Sequence, residues 1–490
     1  MAEHQFLAID LGAESGRGIV ATLRDDRVSM EEIHRFPNRR VTLGGTVYWD
    51  FLSLYAEVLA AIRACAGRGG RLSSMSVDTW GVDFGLLGGY GRLLGNPVSY
   101  RDRRTENIHA YSDPKMSRAE IFRLTGYEPW AISSLFQLLA MQRDRSPLLT
   151  VARTFLNMPD LFQYFLTGVR ASEMSIANTS NLMDANCRWC RPVIEAFGLP
   201  EMFAELIEPA TVLGGLTEAV RQETGLLADV PVIATCGHDT SAALAAVPAE
   251  GDGWAFISCG TWSILGSLVK RPITAPKCLE LGFTNEYTIG GWYVARNISG
   301  LWLVQELRRK WDTPTDPWDY VRMTAEAARE EDGGPLLDAA DASLMAPADM
   351  EAALLALVAR GGQAAPRRRG QLVRGVLESL ALEYNRRLDS LGELTGRRAE
   401  VVYIVGGGIH NKLLCQLTAD ACGCVVQAGA DQCTALGNAL GQALALGILK
   451  RPADIRRVMR ASTEMATYEP RGAAAWAEKR ERYARLCATG

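Results

Sequence analysis

The stretch ATCGHDTSAA at 234–243 crowds Cys236, His238, Asp239, Thr240 and Ser241 together, and each of these side chains can do chemistry. Cys236 ends the apolar run VPVIAT with no separate His and Asn or Asp set to activate a thiol, so it reads as core. Asp239 follows that strand and a Gly237 turn and precedes the small-residue helix TSAALAAV. The carboxyl end of a strand is where α/β sheets bind ligands, and a carboxylate there can accept a hydroxyl proton. The same position also suits a helix cap with Thr240 at its start, and both readings stay open at this point. His238 fits a hydrogen-bonding neighbour better than a second base.

Two glycine turns suggest an anion. In DLGAESGR (10–17) the turn at Gly12 directs backbone N–H groups at a common point, and the Ser15 hydroxyl and Arg17 guanidinium add donors suited to phosphate. Asp10 would then lie where a carboxylate holds Mg2+, directly or through water. A plain hairpin turn with Asp10 bonding local N–H groups is the competing reading. SCGTWS (258–263) repeats the elements without the carboxylate, so two turns in two halves point to a clamped nucleotide. A third cluster, VVYIVGGGIHN (401–411), runs a buried strand into Gly406–Gly408, with Asn411 as N-cap of the helix KLLCQLTADAC and Gly423 as its stop. Three glycines let a flat ring or a sugar approach the backbone. Neither GxxxxGK[ST] nor GxGxxG occurs, so the sequence supports neither a P-loop nor a dinucleotide fold. In DTWGVDF, Trp80 and Asp83 suit either a sugar contact or packing; in YRDRRT, Arg101, Asp102 and Arg104 suit either a lid or a solvated ion-pair cluster.

These residues need elements to hold them. Strand-like runs FLAI, SMSVD, VPVIAT, WAFIS and VVYIV alternate with helical patterns, as in α/β architecture. Helices are predicted over 51–64, with an apolar face of Leu52, Leu54, Tyr55, Val58, Leu59 and Ile62, and over 371–391, with Leu372, Val373, Val376, Leu377, Leu380, Leu388 and Leu391. FLAIDLGAESGRGIVATL (6–23) echoes WAFISCGTWSILGSLV (254–269), about half the chain away, so the protein reads as two related halves. PAEGDG (248–253) is the connector, and 312–370 is the least regular stretch.

Composition bounds the function. The 490 residues carry 52 Lys plus Arg against 56 Asp plus Glu, a net −4, which excludes nucleic acid or an anionic membrane as main partner. No apolar run approaches the ~18 residues of a spanning helix, and MAEHQFLAIDLG does not read as a secretory signal, so a cytoplasmic location is expected. The 11 cysteines form no regular framework and read as reduced thiols. Cys187–Cys190 and Cys422–Cys424 lack the second pair a zinc site needs, and the 5 histidines are scattered.

Taken together, DLGAESGR, SVDTWGVDFGLL (76–87), YRDRRT (100–105), GHDTSAA, SCGTWSILG, NISGLWLVQEL (297–307) and IVGGGIHNKLLCQLTADACG resemble, in order over roughly nine tenths of the chain, the FGGY carbohydrate kinases. Within them the pairing of DTWGVDF with YRDRRT is similar to the branch acting on L-rhamnulose; the glycine turns belong to the wider actin-like superfamily. NMPDLFQYFLTG departs by lacking the lysine and tryptophan common there, and 312–370 is not diagnostic. The resemblance implies an α/β fold of two ribonuclease H-like domains, of the actin-like ATPase superfamily, flanking a nucleotide-binding cleft. Residues 1–247 would form the sugar-side domain with the first phosphate turn and 248–490 the ATP-side domain, its last helices packing back across the cleft. It implies ATP and Mg2+, with Ala13, Glu14, Ser15, Gly16, Arg17 and Thr261 at the phosphates, Gln305 and Gly406 on the nucleotide, and Asp10 at Mg2+. Gly81, His238, Asp239, Thr240 and Asn297 would line the sugar, and Asp239 would be the general base that transfer to a hydroxyl requires. The implied reaction is phosphorylation of the 1-hydroxyl of L-rhamnulose. A kinase for another 6-deoxy ketose or a ketopentose, and a non-catalytic nucleotide-binding regulator, are the alternatives. The expected partners are the sugar and ATP alone, for a monomer or homodimer.

Overall fold

The computed structural model describes residues 3–68, 71–331 and 333–488. The chain divides into two α/β units: Met1–Pro248 with Leu268–Val294 and Gln432–Ser462, and Ala249–Ser267 with Ala295–Asp431 and Thr463–Gly490.

The first unit is built on a six-stranded sheet in the order Thr211–Gly215, Pro231–Ala234, Leu72–Thr79, His4–Leu11, Ser15–Arg24, Arg27–Pro37. The three N-terminal strands form an antiparallel meander, and Leu72–Thr79 then Pro231–Ala234 add in parallel beside His4–Leu11. Parallel strands buried on both faces read as continuous apolar runs, as Phe6 to Ile9 do, all with no exposed surface. Leu7, Ile9, Met75, Val77 and Val232 share one core with Leu54, Val58 and Ile62 of the helix Phe51–Ala66. That helix starts where Asp50 accepts from the Ser53 N–H at 3.2 Å. Its predicted apolar face holds except at Leu52, which sits one residue off the stripe and is 67% exposed.

Helix Cys433–Ala445 also belongs to the first unit and supplies the polar residues that stitch the sheet. Gln442 accepts from the Ser74 hydroxyl at 2.8 Å and donates to the Leu7 carbonyl at 3.1 Å. The helix lies so close to Asp239–Ala245 that a Cβ on Gly437 would stand 1.9 Å from the Ala242 carbonyl oxygen. Only glycine fits there, which explains the small-residue composition of both helices.

The second unit repeats the plan. Trp254–Cys259 pairs antiparallel with Trp262–Val269, Val401–Val405 and Val425–Ala428 add in parallel, and Ala466–Tyr468 closes the edge antiparallel. The internal echo at 6–23 and 254–269 is therefore the same hairpin at the same sheet position in two units. The predicted helix over 371–391 extends over Arg369–Thr395 and buries all seven of the apolar residues expected of it. Lys412–Cys422 is capped by Asn411, which accepts from the Leu414 N–H at 3.0 Å, and ends at Gly423 with φ +62°. The irregular stretch 312–370 holds the helices Tyr320–Ala328 and Met350–Arg360. All 11 cysteines are free thiols. Among the described residues no helix is long and apolar enough to cross a membrane.

Candidate active site

Three neighbouring parallel strands of the first unit each deliver a carboxylate at or beyond their carboxyl ends. Asp10 and Asp78 are Cα partners on His4–Leu11 and Leu72–Thr79, and Asp239 follows Pro231–Ala234 across the Gly237 turn. The turn is tied to the sheet, since the Thr79 N–H donates to the Gly237 carbonyl at 2.8 Å.

Arg17, the Cα partner of Asp10 across the first hairpin, donates to Asp10 Oδ2 at 2.5 Å and to Gln432 Oε1 at 2.6 Å. Asp78 is wholly buried; Asn438 donates to its Oδ2 at 2.6 Å, while Oδ1 has no hydrogen-bond partner among the described residues. Burial first, and then the charge of Asp10, push the Asp78 carboxyl well above its ordinary value, against the Asn438 bond. An orphaned carboxylate oxygen beside a second carboxylate is the arrangement a hard divalent cation satisfies. Asp10 and Asp78 therefore fit Mg2+ as an oxygen-ligand pair.

Asp239 is the first residue of helix Asp239–Ala245, with His238 rather than itself at the N-cap. Its Oδ1 accepts from the Thr240 N–H at 2.6 Å and the Thr240 hydroxyl at 3.2 Å, which holds the carboxylate on the outer edge of the helix start. Burial raises the Asp239 carboxyl and so does the charge of Asp10, while His238 and Thr240 pull it down; the net direction is up. A carboxylate raised above its ordinary value is a stronger base near neutral pH. His238 stands at its side, Nε2 3.4 Å from Asp239 Oδ1 and 3.3 Å from where a Gly81 Cβ would be. Gly81, His238, Asp239 and Thr240 thus come together as one cluster.

Glu173 supports this cluster from below. It accepts from the Gly237 N–H at 2.8 Å and from the Ser175 hydroxyl at 2.5 Å, and the His238 N–H donates to that same hydroxyl at 3.3 Å. Cys236 is buried and its thiol is raised by burial and the nearby Glu173 charge, so it is core and not a nucleophile. Both oxygens of Asp83 are taken: Trp49 Nε1 (2.5 Å), Trp80 Nε1 (3.0 Å) and the Tyr100 N–H (3.1 Å) donate to one, and Gln137 (2.9 Å) to the other. Trp80 and Asp83 are packing and scaffold here. Asp102 accepts from the Val47 and Arg104 N–H groups, and Arg104 reaches Gln137, so YRDRRT anchors the same scaffold.

At the first turn the Gly12 N–H bonds the Ser15 carbonyl at 2.9 Å, and the Asn38 amide holds the Gly12 carbonyl at 2.8 Å. Gly16 is glycine because its Cβ would fall 2.3 Å from the Phe36 ring, a packing reason separate from any ligand. Glu14 is exposed and lies within 3.4 Å of Arg40 and Arg101.

In the second unit, Thr261 donates to Gln305 Oε1 at 3.1 Å. The Leu301 and Trp302 N–H groups bond the Gly260 and Thr261 carbonyls, and Gly300 packs where a Cβ would come within 2.7 Å of the Thr261 carbonyl oxygen. Gly406 takes φ +78°, and a Cβ on Gly408 would meet Cys259 Sγ at 2.2 Å. Two of the three glycines therefore serve close packing on the turn. Gly407 has nothing within 4 Å of its Cβ direction and lines a cavity of about 810 Å3. Val304, Tyr320, Val321, Ala325, Val373 and Leu413 give that cavity its apolar wall, and Gln305, His410, Asn411 and Lys412 its polar edge. Its size and mostly apolar lining suit a ligand with a flat ring. Asn297 is exposed on the strand Gly291–Ser299.

Asp78, Glu173, Glu286 and Asn438 were not singled out from the sequence. One signal was present for Asp78: FLAID and SMSVD both close an apolar run with aspartate.

Comparison with known proteins agrees with this geometry. The chain is 39% identical over 477 residues to the rhamnulokinase of Bacteroides thetaiotaomicron, covering 97% of both chains. It is 34% identical to the rhamnulokinase of Klebsiella pneumoniae subsp. pneumoniae, covering 96% of this chain and 95% of the relative. Xylulose kinase from Lactobacillus acidophilus superposes with a TM-score of 0.83 at 14% identity, over 99% of this chain and 97% of the other. Plasmodium falciparum glycerol kinase with ADP superposes with a TM-score of 0.82 at 16% identity, over 99% and 98%. The fold is thus the two-domain, actin-like architecture of these kinases. Residues 5–246 match the N-terminal domain and 255–446 the C-terminal domain of one family, and the chain belongs to the FGGY family of carbohydrate kinases.

Proposed function

We propose that the protein transfers the γ-phosphate of ATP to the 1-hydroxyl of L-rhamnulose, giving L-rhamnulose 1-phosphate and ADP. The carrying observation is the Asp239 carboxylate, raised by burial, fixed by Thr240 and flanked by His238 and Gly81 beyond the carboxyl end of a central strand. The choice of sugar is supported by full-length relatives named rhamnulokinase at 39% and 34% identity.

In this reading Asp239 takes the hydroxyl proton as the loose transition state collapses onto the sugar oxygen. His238, Gly81, Thr240 and Asn297 hold the sugar, with His238 offering Nε2. Asp10, with Asp78 beside it, would hold Mg2+, which when bound neutralises charge on the β- and γ-phosphates. Arg17, which donates to Asp10, would add a cationic donor for the phosphates. Ala13 to Arg17 and Thr261 face the phosphates, while Gln305, Gly406 and the cavity beside Gly407 receive the nucleoside. The unit of Met1–Pro248, Leu268–Val294 and Gln432–Ser462 would be the sugar-side domain, and the unit of Ala249–Ser267, Ala295–Asp431 and Thr463–Gly490 the ATP-side domain. The enzyme would work in the cytoplasm on free small molecules, as a monomer or homodimer.

Coupled-enzyme detection of ADP release over a panel of ketoses tests the reading. L-Rhamnulose is expected to give the highest kcat/KM; a ketopentose or another 6-deoxy ketose exceeding it would overturn the substrate assignment.

A further inference from the structure

His238 is held by a pair of residues remote from it in the sequence. Its Nδ1 lies 3.0 Å from Glu286 Oε2, and the Tyr293 hydroxyl donates to that same oxygen at 2.6 Å. The Ser241 hydroxyl closes the ring of contacts, 3.1 Å from the Tyr293 hydroxyl and 3.5 Å from His238 Nδ1. Glu286 is buried on the strand Thr284–Thr288, which is pinned on both sides. Asn285 bonds the Gly126 and Ile273 carbonyls at 2.8 and 3.0 Å, and the Thr288 hydroxyl bonds the Ser241 carbonyl at 2.8 Å. The acceptor that faces His238 is therefore carried on a rigid element.

A carboxylate facing Nδ1 requires a proton on that nitrogen, which fixes the tautomer and the ring plane. Nε2 is then turned to the side of the ring where Asp239 and Gly81 lie. We propose that Glu286, oriented by Tyr293, is a positioning residue that turns His238 Nε2 toward a substrate hydroxyl next to the one deprotonated by Asp239, for a hydrogen bond between the two. The inference rests on the sugar-kinase reading for the identity of that oxygen, while the orientation of the ring stands on the contacts alone. Burial pulls the His238 imidazole down, but the bond and charge of Glu286, followed by the charges of Asp239 and Glu173, outweigh it and leave it above its ordinary value. Among the described residues, these three carboxylates are the charged groups that act most strongly on the ring.

The test uses the full-length protein with Glu286→Gln and Tyr293→Phe. Nitrogen-15 NMR of the histidines, without ligand, is expected to show His238 protonated at Nδ1 in the parent and to titrate at lower pH in Glu286→Gln. Tyr293→Phe removes the hydroxyl that donates to Glu286 Oε2 and should move that titration upward; a titration left unmoved would remove Tyr293 from the assembly. In turnover assays Glu286→Gln should raise KM for the sugar on the order of tenfold, with KM for ATP within about twofold. Unchanged His238 titration in Glu286→Gln would overturn the proposal whatever the substrate is. A normal NMR response with no sugar turnover in the parent would instead count against the kinase reading. Equal rises in both KM values with a lowered Tm would reduce Glu286 to a structural role and overturn it as well.

Discussion

Asp10 and Asp78 are Cα partners on adjacent parallel strands, so the carboxyl ends of two central strands hold two carboxylates, of which, among the described residues, only Asp10 has an ion-pair partner, Arg17. Asp78 has the Asn438 amide on one oxygen and, among the described residues, no hydrogen-bond partner on the other.

Asp78→Asn keeps the shape and an acceptor for Asn438 while removing the charge. Mn2+ binding followed by electron paramagnetic resonance should weaken on the order of tenfold, with Tm changed by only a few degrees. Undiminished Mn2+ affinity would remove Asp78 from the surroundings of the ion.

Glu173 links protonation to folding. Burial raises its carboxyl from 4.5 to about 7, although Ser175, Gly237 and Ile176 donate to it. A carboxyl protonated more readily in the folded chain adds stability that is fully present below about 4.5 and is lost as pH rises through about 7. The span corresponds to about 3 kcal/mol at most. Urea unfolding of the parent and Glu173→Gln at pH 5 and pH 7.5 should therefore give a stability difference that shifts in favour of the variant at the higher pH. A difference independent of pH would contradict this coupling.

Asp83 receives three donors on one oxygen and one on the other inside the core. Asp83→Ala leaves two indole N–H groups, a backbone N–H and the Gln137 amide without that acceptor, and should cost about 3 kcal/mol by urea unfolding. Were Asp83 a sugar ligand instead, the variant would lose sugar affinity with stability intact.

The three glycines at 406–408 separate into packing and binding. Gly408→Ala forces a Cβ to within 2.2 Å of Cys259 Sγ and should destabilise the fold by about 2 kcal/mol. Gly407→Ala meets no protein atom within 4 Å and should leave Tm unchanged while weakening ATP binding several-fold by calorimetry. If both variants lowered Tm alike, the cavity face of Gly407 would be misassigned.

Much of the fold was legible because its strands are buried on both faces and its helices on one. FLAI, SMSVD and VVYIV became adjacent parallel or hairpin strands in their two sheets, and Asn411 and Gly423 bounded the helix they were expected to bound. Leu52 was misread because a stripe has no sharp edge in a sequence window. Sequence singled out candidate site residues only where chemistry and a turn coincide, as at Gly12 to Arg17 and Gly237 to Thr240. Asp78 gains meaning from parallel pairing with Asp10, and Asn438 from a late helix returning to the first sheet. Glu286 lies in a strand whose sequence, TNEYT, carries no motif, and only tertiary contact sets it against His238. Such pairings arise from topology, which local spacing does not encode. The glycines were seen but given one reason, whereas Gly16 and Gly408 answer to Phe36 and Cys259.

Comparing Asp239→Asn with the parent for L-rhamnulose-dependent ADP release tests the proposed role of Asp239 as base. Asn keeps an acceptor for Thr240 but cannot take the proton, so kcat should fall by about 10²-fold or more with ATP affinity by calorimetry retained. Turnover undiminished in Asp239→Asn would contradict the account.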